Sequence, residues 1–370
     1  MVLKLIELQN FRLHRNTSLE FSEKLNLIIG GNGQGKTSIL EAIYYLSTTK
    51  NLNLAADSEA VSFNENCFDI KGRFQDLTSN RSRIYFDSIK NKKAIFLDEK
   101  QINNSSELIG KFPIVSLIQS DHSITMGYPS ERRRFVDQAI SQSSHTYLEI
   151  LLEYNKTLRQ RSSLLAQIKE TRNYNLLEQL EAWTESLISA GTEIIKHRIN
   201  FIKEFNAYVK ESYNHIIESV ESPEIIYASI EVCDSENIAK RFREELDKIK
   251  EDELRRGVNL IGPHRDDYLF FINGLELKKY GSQGQHKTFQ IALRFGQFFF
   301  MKDRLGKTPV FLMDDVFGEL DKYRAGRISE YLANIGQAFI TLTDLTSTDG
   351  FYKSGNSALI RVENGKVSFA

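Results

Sequence analysis

The chain has 370 residues, enough for roughly two to three domain-sized units, and its 41% hydrophobic and 26% charged content is that of a folded globular protein. A formal net charge of -1 excludes a basic whole, so any nucleic-acid contact must come from local patches. No apolar run approaches the roughly 18 residues of a membrane span, and residues 1–7 alternate like a strand with no signal-peptide core. Cys67 and Cys233 lie far apart without metal-ligand spacing, so a reduced, cytoplasmic location is expected.

In chain order, residues 1–29 predict strands, the last of them the apolar run Leu25-Asn26-Leu27-Ile28-Ile29. Next comes Gly30-Gly31-Asn32-Gly33-Gln34-Gly35-Lys36-Thr37, which fits the P-loop pattern G-x-x-x-x-G-K-[ST] with no mismatch. Ser38 opens a stretch to Leu46 with apolar residues at helical spacing. Strand, glycine-rich loop and helix in register predict a nucleoside-triphosphate site. The glycines let the backbone wrap phosphate, and the helix start adds its positive dipole end. Lys36 supplies a point charge, and Thr37 a hydroxyl for a magnesium ion. Segments 67–73, 83–88 and 94–98 predict an antiparallel meander beside the nucleotide, and 112–118 a buried strand.

From about 130 to 250 the strand signal all but vanishes, and Pro223 is the only proline. Tyr147, Ile150, Leu151, Tyr154, Leu158 and Leu165 mark one face of a long helix. Leu177, Leu180, Trp183, Leu187, Ile194, Phe201, Phe205 and Tyr208 mark a longer one, with a turn expected over 170–175. The pair predicts a short antiparallel hairpin whose stripes bury each other, each arm about 30–60 Å long at ~1.5 Å per residue. Strand character resumes at 267–272, turns at Asn273-Gly274, and returns in the runs 309–313, 338–342, 358–362 and 366–369. The expected fold is therefore α/β: a nucleotide-binding lobe over 1–125 and 255–370, interrupted by a helical lobe over 126–254.

Two further motifs complete a constellation. Asp314 and Asp315 end the apolar strand 309–313, where one carboxylate can hold magnesium and the next can orient water. Gly318-Glu319-Leu320-Asp321 follows, then the strand that ends Thr341-Leu342-Thr343. Ser282, Gln283, Gly284 and Gln285 open the helical run 289–301 about 30 residues before the acidic strand, a polar helix start suited to an anion.

With Asn10-Phe11-Arg12, Leu40-Glu41-Ala42-Ile43, the stretch 127–137 containing Arg132-Arg133-Arg134, and Gly262-Pro263-His264-Arg265-Asp266-Asp267, these motifs span nearly the whole chain. In this order the chain resembles the RecF family, bacterial ABC/SMC-like ATPases of recombinational repair. The resemblance implies an ABC-type P-loop lobe with a helical second lobe and ATP with Mg2+ as ligands. It also implies an ATP-dependent homodimer in which the Ser282 motif of one copy completes the site of the other.

By position, Gly30, Gly31, Asn32, Gly33, Gln34, Gly35, Lys36, Thr37 and Ser38 would bind nucleotide, joined by Arg12 and by Ser282, Gly284 and Gln285 in trans. Thr37 and Asp314 would hold magnesium, with Gln119 a further option, and Asp315 stands as catalytic base where many ABC proteins carry a glutamate. Lys36, Asp314, Asp315 and Ser282 are thus the expected catalytic set, and either Thr341 or Thr343 the switch residue. The implied partners are double-stranded and gapped DNA and RecR, with RecA loading as the outcome and no membrane. The implied activity is a weak, DNA-dependent ATPase. A rival reading is an ATPase that works through a protein partner and touches DNA incidentally. The chain departs from the family pattern at Gly318 (serine is usual), at Gln119-Ser120-Asp121, and at Lys50, nearly alone where several basic residues are common. The basic clusters Arg132–Arg134, Arg81/Arg83 and Lys90/Lys92/Lys93 suit solvated faces or internal ion pairs at least as well as a phosphate track.

Overall fold

The computed structural model describes residues 1–53, 55–218, 221–230, 237–343 and 357–369; Cys233 lies outside them. The chain begins with strands β1 (Val2–Phe11), β2 (His14–Glu20) and β3 (Leu25–Ile29), then helix α1 (Lys36–Thr48). Strands β4 (Cys67–Gln75), β5 (Ser79–Asp87), β6 (Lys92–Leu97), β7 (Lys100–Ile102) and β8 (Ile114–Leu117) follow. The helices α2 (His122–Met126), α3 (Pro129–Ser143), α4 (His145–Thr171) and α5 (Leu177–Ile216) precede β9 (Pro223–Ala228) and α6 (Ile238–Arg256). Next are β10 (Asp267–Ile272), β11 (Leu275–Glu276), α7 (Leu277–Tyr280) and α8 (Gln283–Leu305). Last come β12 (Val310–Asp314), α9 (Lys322–Asn334), β13 (Ala338–Leu342), β14 (Ser357–Glu363) and β15 (Lys366–Phe369). The chain separates into two compact units, one of residues 1–122, 211–220 and 287–370, the other of 123–210 and 221–286.

The first unit holds two sheets. One has the order β15-β14-β3-β13-β12-β8, parallel except for β15. Its central strands are buried along almost their whole length, which is why they read as continuous apolar runs. The other, β2-β1-β4-β5-β6-β7, is antiparallel and alternates: Ile6 and Leu8 point inward while Glu7 and Gln9 face water. α1 touches both sheets and is buried around nearly its full circumference. Phe11 meets Tyr45 of α1 and Phe68 of β4 edge-on, and Phe74 stacks on Phe112 at 4.1 Å. Because β3, β12 and β13 are parallel and in register (Ile28 beside Thr341, Thr341 beside Asp314), their carboxyl ends share one edge. In open α/β sheets that edge is where ligands bind.

In the second unit, α4 and α5 run antiparallel. Leu165 packs with Leu180, Arg161 donates to Thr184, Tyr154 lies beside Gly191, and Arg198 donates to the Tyr147 hydroxyl. Numbers fall on one helix as they rise on the other. The helices start and stop near the expected turn, but they do not simply bury each other. The third helix, α6, joins them: Arg161 pairs with Glu253 at 2.6 Å, both fully buried, and Leu254 packs against the Leu165 cluster. Within 130–250 the structure also holds a strand that the pattern missed. β9 starts at Pro223 and pairs antiparallel with β10, which pairs in turn with β11. A six-residue strand whose inward positions are Pro223 and Ile225 gives too short an alternation to stand out among helices.

Candidate nucleotide site

The loop between β3 and α1 walls a pocket of about 350 Å³, also lined by Arg12, Leu13, Asp314 and Asp315. Its shape depends on glycine at two places. Gly35, the residue before α1, sits at φ 107°, a left-handed region that side chains avoid, and a Cβ there would come 3.1 Å from His14 Nε2. At Gly30 a Cβ would press to 2.3 Å of the Val362 carbonyl oxygen on β14. No side chain caps the α1 N-terminus. The buried Lys36 ammonium turns back to donate to the Gly30 and Gly31 carbonyls at 2.5 and 3.0 Å. Burial pulls its pKa below the ordinary lysine value, opposed by Asp315 and then Asp314. An uncapped helix start, a glycine cradle and a desolvated ammonium together fit a triphosphate.

The acidic pair meets this cradle at the sheet edge. Thr37 Oγ1 donates to Asp314 at 2.9 and 3.1 Å, and Thr341 Oγ1 donates to Asp314 Oδ1 at 2.7 Å. Hydroxyl and carboxylate oxygens this close form a hard-ligand set that fits magnesium. Asp315 follows in the left-handed region at φ 50°, its amide held by Thr341 Oγ1 at 2.9 Å. Such a conformation costs on the order of 1–3 kcal/mol for a non-glycine residue, and aspartate is among those that tolerate it. Thr341 is fully buried and bridges both aspartates, whereas Thr343 is exposed.

The family described as RecF/RecN/SMC N terminal domain matches residues 2–365. A protein of Chloroherpeton thalassium named DNA replication and repair protein RecF is 40% identical over 92% of this chain and 94% of its own. Its namesake from Prosthecochloris aestuarii is 39% identical over 92% and 93%. The chain belongs to the RecF family. A solved structure of the recombination mediator protein RecF-ATP in the RecFOR pathway has a TM-score of 0.90 at 32% identity, covering 100% of this chain and 97% of that one. An Smc head domain from Pyrococcus furiosus, at TM-score 0.56 and 14% identity, shares the fold alone. The ABC-type ATPase fold with a helical arm, expected from the sequence, is therefore the fold of this RecF-family chain, and ATP binding is a property of its family.

The other expected site residues fall in several places. Arg12 lines the pocket, yet its guanidinium is held by Glu41 at 2.9 and 3.2 Å and by the Glu59 carbonyl at 2.8 Å. Gln119 is exposed two residues beyond β8, the neighbour of β12, and does not line the pocket. Ser282, Gly284 and Gln285 belong to the second unit, and the pocket is lined by first-unit residues only. There Ser282 Oγ accepts from the Gln285 amide at 3.2 Å, and Gln285 Oε1 accepts from the Ser282 amide at 2.9 Å, a reciprocal cap. The arginine triplet is structural. Arg132, buried, forks onto Asp267 at 2.7 and 2.9 Å, Arg133 donates to the Asp266 carbonyl, and Arg134 pairs with Glu131. Lys90 and Lys93 likewise pair with Asp87 and Asp57.

Sequence reasoning missed the braces of the loop. His14 Nε2 lies 3.0 Å from the Gly35 carbonyl oxygen, and its Nδ1 lies 3.1 Å from Thr17 Oγ1. Burial pushes the His14 pKa below its ordinary value, which favours the neutral ring. On the other flank the β14–β15 turn donates two amides to Gln34: Asn364 to Oε1 at 2.6 Å and Gly365 to the carbonyl at 3.0 Å. Asn364-Gly365 is itself a hairpin-turn pair between two strand runs, but nothing local ties it to a loop more than 300 residues earlier.

Proposed function

We propose that this chain is an ATP-gated DNA-binding protein of recombinational repair. Two copies pair on ATP and hold duplex or gapped DNA, and slow hydrolysis releases them. The observation that carries this is the convergence of Lys36, Thr37, Asp314, Asp315 and Thr341 at one sheet edge. The loop amides and Lys36 hold the phosphates. Thr37 and Asp314 would hold magnesium, which when bound would neutralise charge on the phosphate oxygens. Asp315 orients the attacking water, its side chain one methylene shorter than a glutamate. That shortness, with the backbone conformation it occupies, supports slow turnover, well below about 100 s⁻¹. Thr341 is engaged by both aspartates, which favours exposed Thr343 as the residue that senses the terminal phosphate.

One P-loop and one Ser282 motif per chain support a composite site in which Ser282, Gly284 and Gln285 act on the nucleotide of a second copy. A ligand that touches only the paired state favours pairing. The names of the relatives, and the pathway of the solved RecF-ATP structure, support gapped DNA and RecR as partners, RecA loading as the outcome, and a cytoplasmic setting. Among the described residues no helix is long and apolar enough to cross a membrane.

The test is anisotropy on junction, duplex and single-stranded oligonucleotides with and without ATP, using Asp315→Asn to block turnover. ATP-dependent duplex or junction binding that rises with pairing is the expected result. Pairing on ATP with unchanged DNA affinity would replace the clamp by a switch acting through a protein partner.

A further inference from the structure

The outward face of the antiparallel sheet carries a second concavity, of about 510 Å³, that shares no lining residue with the nucleotide pocket. Four cations line it, Lys71 and Arg73 from β4 and Arg81 and Arg83 from β5, against two carboxylates, Glu7 and Glu99. The strand register sets Lys71 directly opposite Arg83, and Arg73 directly opposite Arg81. Sheet geometry spaces such a block about 5 Å across the strands and about 7 Å along them. Like charges directly opposite on one sheet face oppose the sheet's own stability. The protein answers them only in part. Arg83 forks onto Asp69 at 2.8 to 3.1 Å, Arg81 pairs with Glu99, and Lys71 stands 4.0 Å from Glu7 and from Asp69. Arg73 is exposed, faces Arg81 on one side and Leu5 on the other, and has no hydrogen bond or ion pair among the described residues. Arg83 lies over the Phe96 ring at 5.1 Å, which holds its guanidinium against the face.

We propose that this face is a docking surface for the phosphodiester backbone of duplex DNA, with Arg73 the cation that a phosphate neutralises. The proposal rests on the DNA-binding reading above. Charge complementarity favours a polyanion. β4 and β5 are interior strands paired on both sides, so they offer no free edge to which a peptide could add as a strand. What the face presents is guanidinium and ammonium groups on paired strands of a sheet, the chemistry of backbone contact rather than base reading.

The full-length protein with ATP is titrated onto a blunt duplex over a series of salt concentrations. Arg73→Glu lowers affinity by about tenfold and shrinks the slope of log K against log salt by about one. Its DNA-free ATP hydrolysis stays at the wild-type rate. Glu99→Gln, which releases Arg81 from its carboxylate, tightens binding, a gain that misfolding cannot imitate. If wild type binds duplex and both variants keep its affinity and slope, this face is overturned and the DNA-binding reading stands. A wild type that binds no duplex with ATP overturns both. If Arg73→Glu loses a purified protein partner while DNA binding is unchanged, the face belongs to a protein and the proposal fails.

Discussion

Two helix N-termini carry the phosphate chemistry expected of this chain, and they are finished in opposite ways. α1 follows Gly35 in a left-handed conformation with no side-chain cap among the described residues, and its first residue, Lys36, donates to the Gly30 and Gly31 carbonyls of its own loop. α8 follows Ser282, whose hydroxyl and amide are both engaged by Gln285. The first end is built to be completed by a ligand. The second is complete by itself, and removing such a cap costs about 1 kcal/mol. The difference supports an order of events. On the proposed composite site, phosphate would bind first at α1 within one chain, and the α8 end would turn to a ligand only when a partner's nucleotide offers more than the cap it replaces.

The largest expected effect lies beside the open end. Asp315→Asn should cut ATP hydrolysis by about 10²- to 10⁴-fold, the usual contribution of a positioned base, while ATP affinity is kept. A fall of less than tenfold in single-turnover hydrolysis would move the base role away from Asp315. Lys36→Ala comes next. It leaves the helix dipole and loop amides in place but removes the ammonium, and should weaken ATP binding by about 10²- to 10³-fold. Calorimetry showing a loss under tenfold would mean that the helix start alone carries the affinity, which would erase the stated contrast.

How much of this could be read in advance follows the range of the interactions. The P-loop, its flanking strand and helix, and the strands ending at Met313 and Leu342 are local patterns, and each appears where the sequence put it. The helical pair was legible because its apolar stripes repeat for many turns. Its third partner α6 carries its own apolar stripe of Ile238, Phe242 and Leu246, but nothing in the sequence assigns that stripe to α4, because the key tie between them is a buried ion pair, Arg161 with Glu253, that no periodicity marks. The site divides the same way. Lys36, Thr37, Asp314 and Asp315 belong to motifs, whereas His14 and Asn364 act through tertiary contacts on Gly35 and Gln34. Thr341 and Thr343 read alike in the sequence, and only the register of β13 beside β12 ties Thr341 to the acidic pair.

The brace on the open end gives a smaller, pH-dependent prediction. Burial depresses the His14 pKa below 6.5, so between its folded value and about 6.5 the unfolded chain binds more protons than the folded one. Stability supplied by neutral His14 is therefore fully present above about 6.5 and is lost as pH falls below it, by at most about 1.4 kcal/mol per pH unit for one proton. His264, pushed by burial down to about 4, and His215, also depressed by burial, contribute in the same direction. The readout is thus the difference between wild type and His14→Gln. Denaturant titrations should show a shallower acid loss in the variant, and parallel curves would deny His14 its role in holding Gly35.

The smallest effect tests the closed end. Ser282→Ala removes one half of the cap and should cost about 1 kcal/mol, a shift of about 2 °C in Tm, whatever Ser282 does for catalysis. Gln285→Ala removes the reciprocal half and should cost about as much. Both variants are then assayed for ATP hydrolysis as protein concentration rises. A cap without a further role leaves hydrolysis per chain unchanged at every concentration in both. A hydroxyl that acts across a pair leaves the dilute rate untouched but removes the rise that accompanies pairing, and does so more severely in Ser282→Ala than its modest thermal shift explains. Equal losses in the two variants, tracking Tm alone, would reduce the α8 start to a helix terminus and leave the open end of α1 to account for the chemistry by itself.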